Sequence, residues 1–429
     1  MEKIKVSEIK LYEHQQEAWR RMMMNDSYAF FMEQGTGKTL PILFHLSYLF
    51  KHEMIETALI VAPKSALGAW SRDLDKLPKN IRQHIDEDNL TIVNYDLLHR
   101  RKELYDGQFD FITLDESHMI KNRTSKRSKA IRKMALKAKY KYILTGTPIS
   151  NSKLHEFWAQ MDFLDPSIFG NWTTFQKQYC ILNQWFQPYK YMYQEQLETI
   201  VNSHSYRITK VECLDLPEVL EDQIIKVPLR EKKLHQEALD NLIEEYDMEM
   251  DNPLTRLLRL RQISSGFLQE EDEVSILKSD KIKYVHELLE AREGLKTVIF
   301  ANFKVSIKML SKSMDGKYNY VVLDGDQKDK QIWKEFQTNE DIDVIIVQYQ
   351  TGNAGIDLFE ADAIIFYEPH LSSSVNSQAR DRIHRIGQKR TVTYYYLLTE
   401  GTIEEKIYKT ITDGHEFSKQ VLNDYIRQG

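Results

Sequence analysis

The chain has 429 residues, 42% of them hydrophobic and 28% charged, and carries a formal net charge of −6. That length exceeds one ordinary core, so two or three domains are expected, and the acidic balance excludes a protein that is basic all over while leaving room for a local basic stripe. Its two cysteines, Cys180 and Cys213, form no disulfide framework and no zinc spacing. The first ten residues lack the apolar core of a signal peptide, and no apolar run approaches a membrane span. The expectation is an intracellular protein without a membrane partner, cytoplasmic, or nuclear if the host is eukaryotic.

Residues 11–24 read as an amphipathic helix with Gln15, Ala18, Trp19 and Met22 near one face. The apolar run Tyr28–Phe31 then leads into Met32-Glu33-Gln34-Gly35-Thr36-Gly37-Lys38-Thr39, and Leu40 opens a second apolar segment. Strand, glycine loop and helix in that order make a phosphate cradle. The glycines let backbone N–H groups close on phosphate oxygens, Lys38 reaches the outer phosphates, and the Thr39 hydroxyl meets Mg²⁺. Met32 stands where the strict pattern has its first glycine.

Short apolar strands follow at 57–62, 90–95, 109–114 and 140–144, with helices between them, which predicts a parallel sheet. Ligand residues in such sheets gather at the C-terminal strand ends. Asp115-Glu116-Ser117-His118 sits at one such end; Asp115 suits the Mg²⁺ partner of a phosphate loop and Glu116 the base for an attacking water. Thr145-Gly146-Thr147-Pro148 sits at another, either as a hydroxyl relay or as a plain Gly-Pro turn. From Lys121 to Lys141 there is no acid, and Lys121, Arg123, Lys126 and Arg127 open a basic run that reads as a phosphate-backbone contact.

From 152 to about 273 the pattern turns helical and aromatic, with 171–182 read as a helix and residues 223–227 as the one strand. Trp158, Phe163, Phe169, Trp172, Phe175 and Tyr179 fit core packing better than a base-stacking platform. Alternation resumes at Lys278, with strands at 297–301, 320–323, 344–347, 363–367 and 392–398. The expected domains are 1–222, with a helical protrusion at about 152–215, then a helical linker at 223–275, and 276–429. Arg382 and Arg385, placed on one helix face with Gln378, suit the charge that develops on a γ-phosphate.

Taken together these motifs resemble the Swi/Snf-like family of double-stranded-DNA translocases in helicase superfamily two. Leu11-Tyr12-Glu13-His14-Gln15 resembles its adenine-reading motif, Glu33–Thr39 motif I, and Ile60–Ser65 with Trp70 motif Ia. Asn94–Leu98 resembles motif Ib, Asp115–His118 the Asp-Glu-Ala-His box, and Leu144–Asn151 motif III. Thr351–Leu358 is similar to motif V, and Gln378–Gln388, with its His-Arg-Ile-Gly-Gln ending, to motif VI. Motif V departs from the pattern at Asp357, where the family has asparagine.

The resemblance implies two RecA-like parallel α/β lobes with helical protrusions between them. ATP and Mg²⁺ would be bound by Gln15, Gly35, Thr36, Gly37, Lys38, Thr39 and Asp115, with Gly355 and Asp357 from the second lobe. Glu116 would activate water, and Gln378, Arg382 and Arg385 would complete the site. Duplex DNA would meet Pro63, Lys64, Asn94, Asn302 and Thr351 as well as the basic run. The implied activity is ATP-driven translocation on duplex DNA that remodels DNA or protein–DNA complexes, with a separate protein partner in a repair, restriction or remodelling complex as a further expectation. The alternatives are a strand-separating or annealing helicase and a nucleotide-switched DNA-binding module.

Overall fold

The computed structural model describes residues 10–98, 100–149, 153–247, 253–271, 273–329, 331–352, 355–415 and 417–426. The sequence pattern also predicts a helix over 231–250, whose last three residues lie outside them, as do Ser150 and Asn151 of motif III and Asn353 and Ala354 of motif V. The chain divides into two compact units, 1–215 and 216–429.

In the first unit the apolar runs become β1 (Ser27–Met32), β2 (Ala58–Ala62), β3 (Leu90–Asn94), β4 (Phe111–Asp115) and β5 (Tyr140–Leu144). They are joined by β8 (Ser205–Ile208) in a six-stranded sheet of order β3-β2-β4-β5-β1-β8, every pairing parallel. β2 is buried at every residue, as a strand covered on both faces must be. One face packs on the helices Glu13–Met24 and Thr39–Lys51. The other packs on Lys126–Ala135 and Phe157–Leu164, with Trp158, Phe163, Phe175 and Tyr179 inside that core. Those aromatics are packing residues. The helix begun at Trp172 stops at Tyr179, however, and the chain turns into a two-stranded hairpin, β6 (Cys180–Leu182) and β7 (Pro188–Tyr191).

The second unit repeats the architecture. Its sheet runs β13-β14-β12-β15-β16-β9 and is again parallel throughout. The strands are β9 (Gln223–Val227), β12 (Thr297–Ala301), β13 (Tyr320–Leu323), β14 (Val344–Gln348), β15 (Ala363–Phe366) and β16 (Thr393–Thr399), while β10 (Phe267–Glu270) and β11 (Glu273–Ile276) form a separate hairpin.

The unit boundary falls at 215/216 rather than at 222. Val219 bridges to Val392, and the Asp222 carboxylate holds Arg380 at 2.8 Å, so residues 216–222 are a strap of the second unit. Nor is 223–275 a free-standing linker. β9 is the edge strand of the second sheet, and Leu257, Leu260 and Ile263 share a core with Ile403, Ile407 and Ile411. A further burial fixes this unit: the Lys281 ammonium donates to both Glu404 carboxylate oxygens, at 2.7 and 2.8 Å, and to Tyr367 O at 2.9 Å.

Candidate nucleotide site

The glycine loop leaves β1 where buried Met32 ends the strand and enters the helix Thr39–Lys51. Met32 occupies a core position there, which accounts for a large apolar residue in place of glycine. Gly35 and Gly37 take φ of 82° and 74°, the left-handed conformations that a side chain resists. Lys38 caps the helix, and its Nζ donates to Glu33 O at 3.3 Å. The helix N-terminus that follows favours anions.

The loop is braced from beneath. Gln15 is wholly buried; its Nε2 donates to Thr36 O at 3.2 Å and Gly37 O at 3.1 Å, and its Oε1 accepts from Tyr12 N at 3.0 Å. His14 adds a bond from Nε2 to Thr36 O at 2.8 Å, and because a carbonyl can only accept, that nitrogen carries the proton. Expected as the adenine contact, Gln15 instead has its amide committed to the loop backbone in this structure. A Cβ at Gly37 would lie 2.4 Å from Gln15 Nε2, so a side chain there would have to displace the Gln15 amide from the loop. Removing a buried partner from such a bond costs about 1–3 kcal/mol. Gln15→Ala should therefore weaken ATP binding by about 5- to 150-fold, read by titration with a fluorescent ATP analogue, while Gln15→Glu, which lacks the amide donors, should not restore it.

Asp115 ends β4 and Glu116 follows in a left-handed conformation, φ 52° and ψ 53°, uncommon for a non-glycine residue and typical of functional sites. Trp70 Nε1 donates to Asp115 Oδ2 at 2.9 Å, and Glu116 N donates to Oδ1 at 3.0 Å. Burial, then the neighbouring Glu116 charge, pushes the Asp115 carboxyl up to about 6. Burial would raise Glu116 as well, but bonds from His118 and Thr145 and the charge of Lys38 outweigh it and hold the carboxyl down to about 2.

These groups form one network. Gln34 Nε2 of the loop donates to Glu116 Oε1 at 3.3 Å. Thr145 Oγ1 donates to Glu116 Oε2 at 3.3 Å, and His118 Nδ1 lies 3.2 Å from Thr145 Oγ1 and 3.3 Å from Glu116 Oε2. A Cβ on Gly146 would sit 3.1 Å from Gln34 N, so the Thr-Gly-Thr-Pro turn lies close against the loop. Behind them, Ser117 Oγ donates to Gln160 Oε1 at 2.7 Å, and Gln160 Nε2 donates to Pro148 O at 2.6 Å. Of the two readings of Thr145–Pro148, the structure favours the hydroxyl contact. The sequence pattern marks no site role for Gln34, Gln160, His14 or Tyr95, whose hydroxyl donates to Asp115 O at 2.7 Å. Trp70 was available: a buried indole N–H needs an acceptor.

In the second unit Asp357 and Arg385 meet in an ion pair of 2.5 Å, both about a quarter exposed. The shared helix face expected for Gln378, Arg382 and Arg385 is not formed: the helix is Ser373–Arg380, and 381–387 is a run of turns. Gly387 at φ 106° and buried Gln388, whose Nε2 donates to Ala361 O and Ile383 O, close those turns. Gly355 is half-buried at φ 59°.

The expected DNA contacts fare unevenly. Lys64 and Lys126 are exposed, and Pro63, Arg127 and Thr351 half-buried. Asn94 spends its Oδ1 on Asp96 N and Leu97 N. Asn302 is buried and braces the Glu368–Pro369 turn through its own N–H and Nδ2, which removes it from a surface role. In the basic run Lys121 faces Glu156 at 3.6 Å, Arg123 stacks 4.3 Å from the Trp172 ring, and Arg132 pairs with Asp162 at 2.7 Å. Lys126, Lys129, Lys133, Lys137 and Lys139 stay exposed.

Among protein families, the SNF2-related domain matches residues 12–265 and the helicase conserved C-terminal domain matches 280–387. A putative ATP-dependent helicase/translocase of Bacillus subtilis, YwqA, is 30% identical over 92% of this chain and 46% of its own length. An uncharacterized ATP-dependent helicase of Mycoplasma pneumoniae is 28% identical over 99% of this chain and 43% of its own. The ISWI chromatin-remodeling complex ATPase ISW2 of Saccharomyces cerevisiae is 28% identical over 87% and 37%. The chain thus spans less than half the length of these relatives. The Sulfolobus solfataricus SWI2/SNF2 ATPase core in complex with dsDNA aligns with 98% of this chain and 94% of its own, at 26% identity and a TM-score of 0.47. Among the described residues no helix is long and apolar enough to cross a membrane.

Proposed function

The chain belongs to the SNF2-related family, with a helicase C-terminal domain in its second half, and from that premise we propose that it is a DNA-dependent ATPase that translocates on double-stranded DNA and remodels DNA or protein–DNA complexes. The carrying observation is the single network that joins the phosphate loop, through Gln34, to Glu116 and Thr145. ATP phosphates lie on the N–H groups of Gly35–Thr39, with Lys38 on the outer phosphates.

Asp115 and the Thr39 hydroxyl are hard oxygen donors of the kind Mg²⁺ takes, and the buried Asp115 carboxyl stands beside a second carboxylate, Glu116. They would hold Mg²⁺, which supplies charge neutralisation on the phosphates when bound. Glu116, ionised, takes a proton from water as the water oxygen attacks the γ-phosphorus and ADP leaves. Arg382 and Arg385 act on the charge of the transferring group, and Gln378 supports them. Lys64, Lys126 and Arg127 meet DNA phosphates. Relatives described as parts of a chromatin-remodeling complex support a motor that serves a separate partner.

Phosphate release measured with single-stranded DNA, duplex DNA and duplex RNA tests this reading. Duplex DNA should stimulate the wild type most, and Lys38→Ala should lower kcat by about 10²- to 10³-fold. A wild type that duplex DNA leaves unstimulated overturns it, and robust strand displacement on a forked duplex favours an unwinding helicase instead.

A further inference from the structure

The hairpin β6–β7 is fixed at its roots and at its tip. Cys180 is buried, Tyr191 packs against the same core with its hydroxyl bonded to His155 Nδ1, and Met192 N donates to Tyr179 O at 2.9 Å. At the tip the Asn183 Oδ1 accepts from Trp185 N at 3.0 Å and Gln187 N at 2.9 Å, and Asn183 N donates to Gln187 O at 2.9 Å. Phe186 takes φ of 58°, a strained turn conformation that these bonds hold. What this hairpin exposes is aromatic: Trp185 is 68% exposed, Phe186 80% and Tyr189 54%, with Tyr193 at 66% just beyond it, before the helix Gln194–Ser203. Scattered exposed apolar residues are ordinary, but three large aromatics within five residues of one ordered hairpin suit an interaction surface.

Charge selects the occupant. Between Asp165 and Glu195 the sequence has no acid, while Lys177 and Lys190 are present together with the amides of Asn183, Gln184 and Gln187. The Lys190 ammonium lies 5.7 Å from the Tyr189 ring. In a chain of net charge −6 this stretch is locally positive, and π-faces beside cations suit a ligand that is both aromatic and anionic. Paired bases inside a duplex hide their faces in the stack. Unpaired bases offer face and phosphate together.

We propose that the hairpin Cys180–Tyr191 is a nucleic-acid contact that stacks Trp185 and Phe186 on unpaired bases, so that the chain favours junctions of duplex with single strand over uninterrupted duplex. The proposal rests on the DNA-motor reading above and deepens it by naming the structure of the preferred DNA.

The test is fluorescence anisotropy on two DNAs of equal duplex length, a fork with two single-stranded arms and a closed dumbbell without ends. Wild type should bind the fork more tightly. The double variant Trp185→Ala/Phe186→Ala should weaken fork binding by about 10-fold or more and leave dumbbell binding and dumbbell-stimulated ATP hydrolysis unchanged. The conservative Trp185→Phe/Phe186→Tyr should retain the preference. Both side chains are exposed, so an unchanged thermal transition checks that the fold survives. Equal loss on both DNAs, no loss on the fork, or a wild type without preference overturns the proposal; unchanged fork binding leaves the surface to a protein partner. A wild type that binds neither DNA sinks the motor reading itself.

Discussion

Glu116→Gln should lower kcat for DNA-stimulated ATP hydrolysis by about 10²- to 10⁴-fold, the range for loss of a general base, with ATP affinity nearly intact. The substitution keeps size and one acceptor oxygen for Gln34, and its new amide N–H can donate to the Thr145 hydroxyl, so both neighbours retain a partner; what it removes is the ability to take a proton from water. Steady-state phosphate release gives kcat, and equilibrium nucleotide titration separates the chemical defect from a binding defect. Because Glu116 is held down to about 2, it is ionised throughout the working range and contributes no acid limb there. That limb belongs to Asp115, pushed up to about 6 by burial and by Glu116. The rate should fall as pH drops through that value and Asp115 protonates. Higher Mg²⁺ favours the ionised form and should move the limb to lower pH. Profiles at two Mg²⁺ concentrations check this; a limb that does not move would remove Asp115 from the metal role.

Lys281→Ala should destabilise the second unit by about 3–5 kcal/mol, the cost of leaving one member of a buried ion pair alone. Lys281 and Glu404 side chains are 0% and 1% exposed, and the ammonium satisfies its three donors on Glu404 and Tyr367 O. Glu404 also accepts from Thr399 N at 2.8 Å, so the pair ties the start of one helix to the end of β16. At roughly 2–4 °C per kcal/mol for a unit of this size, the transition assigned to it in calorimetry of the whole chain should drop by roughly 6–20 °C. Replacing both partners, Lys281→Met with Glu404→Leu, should recover part of the loss. A single variant as stable as wild type would mean that water reaches the pair.

The elements legible in the sequence were those written in local pattern. Apolar runs of four to six residues became the inner strands, and Gly35–Thr39 and Asp115–Glu116 came out at strand ends as the α/β topology requires. β8 was missed because Ser205–Ile208 is a polar edge strand, supplied with its partner only when β1 folds beside it. The hairpin hides behind a helical pattern, because Trp172, Phe175 and Tyr179 keep helical spacing up to the residue where cross-strand pairing takes over. The three-residue spacing of Arg382 and Arg385 predicts a shared helix face, but the helix ends at Arg380. Asn302 and Gln15 show the general difficulty: an amide reads the same whether it faces a ligand or a buried carbonyl, and only the fold says which.

The brace under the phosphate loop has a kinetic consequence. With Thr36 and Gly37 carbonyls tied to Gln15 and His14, the loop does not have to be assembled by the nucleotide. Arrival should then be a single second-order step in stopped flow, its observed rate linear in ATP concentration, with no plateau from a slow rearrangement. Cutting the brace should turn that line into a curve before it changes the chemistry, which would make the helix Glu13–Met24 a determinant of how fast nucleotide enters the loop.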